Sequence, residues 1–316
     1  MKRLILVIVF AVLLTGCSAR AEELEDSAIV KALAIDRGEK GYTLSAYIAG
    51  AEEGSVISAE AESVAEAFLL LNTRTERRIF LGQLRVIAVS SDLRDTEEVL
   101  LYLYSAENVR SAAKVLIVDG AAKDVLEYQG LYREPATDIE KTIENAEKNA
   151  NFSAVSLYAW VNSMASEAGC CILPVGKMEE ENLILEKAMI YRHFRILQTL
   201  SAQELAGSAI LAEKARVYLT VDGRSIVLNG IHIGEALNNT VSVQCRYRSA
   251  ADPVLADTEL SKTIEKSIAE TLHAVCGTVR KVGADFSWMR GIAEDTEFTV
   301  TARPAGNDYP LRGGKE

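Results

Sequence analysis

Apolar and polar positions along the chain follow both the strand period and the helix period. Residues 28–35 form a compact apolar run that ends at Asp36-Arg37-Gly38-Glu39-Lys40-Gly41, and residues 42–48 alternate after it. Two such runs about an Asp/Gly turn predict a β-hairpin. Residues 49–61 are small and polar and are expected to form a loop. Ser63 and Glu66 stand at capping-box spacing, and the helix expected after them carries Val64, Ala67, Phe68 and Leu71 on one stripe. Residues 84–89 and 115–118 are β-rich apolar runs. Between them, residues 96–104 predict a helix with Val99, Leu100, Leu103 and Tyr104 turned inward, and residues 121–128 restart a helix after Gly120. Residues 128–135 read as a break, residues 138–147 and 153–168 as helix, and residues 169–181, with Pro174, as a loop.

The second half opens with strand-like pieces over residues 183–197, followed by a second capping box, Ser201 to Glu204, and a short helix. Residues 217–221 and 225–233 flank Asp222-Gly223, a strong hairpin signal, and residues 241–247 are a further strand candidate. Residues 257–276 carry Leu260, Ile264, Ile268, Leu272 and Val275 on one helical face, opposite Glu259, Lys262, Glu265, Lys266 and Glu270. Residues 298–302 are the last expected strand. Strands mixed with helices in this order give an α+β class, a mixed α/β multi-domain body with sheets packed against helices. The expected division is 28–180 and 181–303 for the two domains, with 304–316 as a tail.

The leader changes where this body lives. Lys2 and Arg3 precede an unbroken apolar run over residues 4–14, then Leu14-Thr15-Gly16-Cys17. The run is too short to remain as a spanning helix and has the layout of an export signal. A cysteine directly after Leu-Thr-Gly resembles a lipobox, so residues 1–16 are expected to be a signal peptide, Cys17 to be lipidated, and residues 17–27 to tether the body to the outer face of a membrane. The 34 Lys and Arg against 45 Asp and Glu give a net charge of −11, and loss of Lys2 and Arg3 with the leader makes it more negative. That balance argues against nucleic acid as a partner. The remaining cysteines, Cys170, Cys171, Cys245 and Cys276, are candidates for disulfides in an exported protein, with buried free thiols as the other reading.

No catalytic, metal or cofactor pattern emerges. His193, His232 and His273 lie in no metal-ligand spacing, and neither a G-x-S-x-G elbow nor a phosphate-cradling glycine loop is present. Asp36 and Asp285 sit at the ends of apolar elements, where turn chemistry accounts for them.

Several phrases stand in a recognisable order. Glu23-Leu24-Glu25-Asp26-Ser27-Ala28-Ile29-Val30 leads into Ala34-Ile35-Asp36-Arg37-Gly38, and Arg77-Arg78-Ile79-Phe80-Leu81-Gly82-Gln83-Leu84 follows. In the second half Leu200-Ser201-Ala202-Gln203-Glu204-Leu205-Ala206-Gly207 and then Val282-Gly283-Ala284-Asp285-Phe286 complete the series. Behind a lipobox, this order resembles the Ger(x)C family of spore germination lipoproteins, the C subunits of nutrient germinant receptors. Two departures stand out: Gln83 occupies a place where the family commonly has His, and Trp288 is what remains of a Trp-rich segment, which implies a shortened C-terminal half with an altered binding surface. The resemblance implies a non-enzymatic lipoprotein at the spore inner membrane, beside the receptor's membrane-embedded A and B subunits. The alternative reading is a stand-alone envelope lipoprotein that binds a small solute.

Overall fold

The computed structural model describes residues 27–50, 55–93, 95–106, 108–237, 239–249, 258–289 and 291–305. Cys17, the signal peptide and nearly all of the expected tether lie outside them, as does nearly all of the expected tail. Two sheets organise the chain. The larger is built from β1 (Ser27–Arg37), β2 (Tyr42–Ile48), β3 (Ser55–Ala61), β4 (Arg78–Phe80), β5 (Val86–Ser90), β6 (Lys114–Val118), β7 (Cys170–Glu179), β8 (Asn182–Arg192) and β9 (Arg195–Leu200). Its order is β3-β2-β1-β5-β6-β7-β8-β9, with β4 beside the first residues of β1. β1, β5, β6 and β7 run parallel; β2, β3, β8 and β9 extend the two sides as antiparallel hairpins.

Parallel central strands need cover on both faces, and the side-chain alternation supplies two apolar faces. Leu33, Ile35, Ile87, Val89, Val115 and Ile117 point to one side. There they meet α1 (Val64–Asn72), α2 (Glu97–Ser105) and α4 (Leu157–Ala165), the last contributing the fully buried Trp160. On the other side Ala32, Ala34, Ala88 and Leu116 receive the 3₁₀ turn Ala122–Glu127 and α3 (Pro135–Asn149) through Val125, Leu126, Ile139 and Ile143. Small alanines on this face let the turn and helix approach closely. Asp36 fixes the turn, its carboxylate accepting the N–H groups of Ala122 (2.5 Å) and Lys123 (3.0 Å). The segment before α3 is shaped by the buried Asp138, which accepts from Gly130, Tyr132 and Glu134.

The second sheet, β10 (Arg216–Val221), β11 (Arg224–Ile233), β12 (Thr240–Ser249) and β13 (Glu297–Pro304), is an antiparallel meander closed by a parallel strand. The crossover between β12 and β13 contains α6 (Thr258–Lys281), and α5 (Ala202–Leu211) lies against it. Asp222 (φ 49°) and Gly223 (φ 73°) form the hairpin turn, as a two-residue turn with both central φ values positive requires. The capping box at Ser201 is complete, with Glu204 bonding back to the Ser201 N–H at 2.7 Å. At Ser63 only the forward bond, from the Glu66 N–H (3.2 Å), follows the box; the Val64 N–H is taken by Glu98 of α2 at 2.7 Å.

Three expectations need correction. Residues 55–61, read as loop, form β3, whose inward positions are the alanines Ala59 and Ala61; small side chains hid the alternation. Residues 170–179, also read as loop, form β7. Pro174 faces Ala188 of β8 in the ladder, and pairing with β6 is limited to Val175 and Gly176, since proline has no N–H to give. Tyr104, expected inward, is 60% exposed. The boundary expected at residue 180 falls in the turn of the β7–β8 hairpin: the large sheet continues to Leu200, and the covalent passage to the second sheet follows it. β7–β9 face both ways, because Cys171, Leu173 and Tyr191 enter the first core while Cys170, Ile190 and Leu200 enter the core of the second sheet.

The two helices of the second unit touch at Gly207. A β-carbon there would lie 2.7 Å from the Thr271 carbonyl oxygen and 2.7 Å from Val275 Cγ1, whereas one at Gly277 of α6 would meet nothing within 4 Å. Gly207→Ala is therefore expected to destabilise the fold by about 1–3 kcal/mol through overpacking. Gly277→Ala is expected to stabilise it by about 0.5–1 kcal/mol through helix propensity. Urea midpoints of the two variants, measured side by side, check the opposite signs.

Candidate functional site

A cleft of about 750 Å³ opens where the two units meet. Its walls include the strap after α3 (Asn151, Phe152), the C-terminal end of α4 (Ser163, Ser166), the start of β7 (Cys170, Ile172), α5 (Leu205, Ser208) with Lys214 beyond it, and the stretch between α6 and β13 (Asp285, Phe286, Trp288). Two fastenings hold that shape. Asn151 makes a reciprocal pair with the Tyr218 backbone of β10, donating to its carbonyl (2.8 Å) and accepting from its N–H (2.8 Å). Lys214 donates to the carbonyl oxygens of Asn151 (3.4 Å) and Phe152. On the opposite wall Phe286 and Trp288 stack with centroids 4.9 Å apart and planes 4° from parallel. Burial lowers the pKa of Lys214 below the ordinary lysine range, against a weaker upward pull from Glu147.

The residues weighed as catalysts in the sequence lie apart. His193 occupies the β8–β9 turn with its backbone N–H on the Gly169 carbonyl (2.9 Å). His232 sits on β11 with Nδ1 3.3 Å from Glu213, and His273 on α6 meets the Phe298 ring edge-on at 5.1 Å. Asp36 holds the 3₁₀ turn, and burial raises its pKa above the ordinary aspartate range despite the two N–H groups it accepts. Asp285 alone of these reaches the cleft, as an exposed side chain. Sequence reading missed the cleft because it is assembled from segments far apart in the chain, and Asn151, Lys214 and Phe152 belong to no local motif.

Cys170, Cys171, Cys245 and Cys276 are buried and unbridged in this structure. Cys170 and Cys171 are neighbours on one strand, so their side chains point to opposite faces and into different cores. Burial pushes Cys171 up to about 12 and Cys245 and Cys276 each up to about 11, and raises Cys170 as well. In the same region the Trp160 indole meets Tyr191 edge-on at 5.6 Å, and Trp160 Nε1 and Tyr191 Oη are buried without a hydrogen-bond partner among the described residues.

Residues 20–178, half of the chain, match the family described as the spore germination protein N-terminal domain. Residues 1–18 match the prokaryotic membrane lipoprotein lipid attachment site, and Cys17 is the one cysteine in that segment. No curated protein matches the chain. Among solved structures, the crystal structure of the GerBC protein is similar at 14% identity and a TM-score of 0.45, covering 86% of this chain and 96% of that one.

Thiolate, not thiol, is the reacting form, so thiols this far above their ordinary pKa should resist alkylation in the folded state. Iodoacetamide at pH 8 is expected to leave Cys171, Cys245 and Cys276 essentially unmodified until denaturant is added. Under denaturing conditions without reductant all four body cysteines should react, and mass spectrometry would reveal any bridge as missing label.

Proposed function

The chain belongs to the Ger(x)C family of spore germination lipoproteins, and from that premise we propose that it is the C subunit of a nutrient germinant receptor. It is a lipid-anchored membrane protein with a role in spore germination. In the proposed reading the anchor is two or more acyl chains carried on Cys17, and the body works without catalysis, by assembly or signal relay beside the receptor's A and B membrane subunits at the spore inner membrane. The observation that carries the reading is the family match across residues 20–178, behind a lipid attachment site. The proposed division into an N-terminal unit over 28–180 and a C-terminal unit over 181–303 cuts a hairpin whose strands pack into both cores.

The positions of the titratable residues support a binding role over a catalytic one. Asp36 and Asp138 spend their carboxylates on backbone N–H groups, and the cleft cysteines are held as thiols. A single short acyl chain gives marginal membrane binding, whereas two or more make it stable, so the anchor decides residence in the membrane.

Cys17→Ala is expected to move the body from the membrane fraction to the soluble fraction and to slow nutrient germination severely; spores of that variant germinating at the parental rate would sink the proposal. Cross-linking a tagged copy in detergent-solubilised membranes should recover a polytopic permease-like protein and a second membrane subunit. Recovery of the lipoprotein with neither would favour the solitary solute-binding reading.

A further inference from the structure

Lys214 stands at the junction of two depressions. One is the cleft between the units; the other, about 560 Å³, is bordered by Glu147, Lys148 and Arg216. A lysine ammonium has three N–H donors, and two of those of Lys214 go to the Asn151 and Phe152 carbonyls. Among the described residues no carboxylate lies within ion-pair distance of it. Partial burial of a cation is costly, and the pull of Glu147, which acts from beyond ion-pair distance, offsets only part of that burial. In the smaller depression three basic side chains, Lys148, Lys214 and Arg216, stand with one carboxylate, Glu147, while Glu167 and Asp285 are the carboxylates on the lining of the larger cleft. Lys148 also lies in the last turn of α3, where a cation answers the helix carbonyls, so Lys214 and Arg216 are the pair with charge to spare.

The cleft that runs on from Lys214 has an apolar part beside a polar one, where Ser163, Ser166, Glu167 and Asp285 stand. Phe152 and Leu205 are buried at one side, and Trp288, laid flat on Phe286, stands at the other. Its volume is that of a site for a small molecule, and a junction between units is a common place for one. We propose that the cleft binds a small organic monocarboxylate, its anionic head at Lys214 with Arg216 behind it and its apolar body against Phe152, Leu205 and Trp288. The protein's net negative charge disfavours a polyanion, and Phe152, Leu205 and Trp288 give an organic body a surface that an inorganic anion would leave unused. The proposal does not rest on the receptor reading and would stand if that reading failed.

The chain's two tryptophans allow a direct test. Trp160 is fully buried in the first core, while Trp288 lines the cleft. The full-length lipoprotein in non-ionic detergent is titrated with 3-phenylpropionate and with hexanoate, and in parallel with 3-phenylpropionamide and hexanamide. Both carboxylates are expected to change tryptophan emission saturably, with the amides binding about tenfold more weakly, the worth of one charge-assisted hydrogen bond. Trp288→Phe should remove the optical signal while isothermal titration still detects heat. Lys214→Gln should weaken the carboxylates about tenfold without affecting the amides. Because Lys214 also holds the strap at residues 151–152, Arg216→Gln serves as the second variant and should weaken carboxylate binding in the same direction with unchanged thermal unfolding. Equal affinity for acid and amide, no saturable response, or parental binding in both variants would overturn the proposal.

Discussion

The fold depends on burying β1, β5 and β6 on both faces. A parallel strand in the middle of a sheet has no solvated side, so each residue from Ala32 to Ile35, from Val86 to Val89 and from Val115 to Val118 must be met by another element. Helices α1, α2 and α4 meet one face; the 3₁₀ turn and α3 meet the other. The long-range polar contacts follow from that demand. Asp36 reaches across from the end of β1 to hold the turn that covers its own strand. Arg85, just before β5, binds Glu140 of α3 at 2.6 Å and so secures the helix over the same face.

Much of this was readable because local and tertiary preferences agree. The β1–β2 hairpin, the Asp222-Gly223 turn, the capped helix α5 and the stripe of α6 all appear where turn chemistry and periodicity put them. The failures came where strand-forming residues were diluted by others. β3 follows Val56 and Ile57 with serine, alanine and glutamate, and β7 sets Ile172, Leu173 and Val175 among two cysteines and a proline; each is a strand because its neighbours offer it a ladder. Tyr104 misled in the opposite sense, a large ring at a helical spacing that ends on the surface. The anchor was legible from residues 1–17 alone, since a lipobox is a contiguous signal. The cleft was not, because Asn151, Lys214 and Trp288 meet only after both sheets have formed.

Trp288 joins the two levels of reading. In the sequence it stands where the resemblance to the Ger(x)C family leads one to expect a Trp-rich segment. In the structure it lies on Phe286 at the mouth of the cleft, on the stretch between α6 and β13. Arg192 of β8 donates to the Gly283 carbonyl just before that stretch and ties it to the large sheet. The aromatic wall is thus carried by the second unit and braced by the first.

The divided loyalty of β7–β9 has a mechanical meaning. A strip whose alternate side chains lie in different cores cannot be peeled from one without stripping the other, so heat should dissolve both units in one cooperative event and not in succession. For a body held to a bilayer at its N-terminal end, the same strip acts as a splint. A tilt of either sheet is thereby carried to the other.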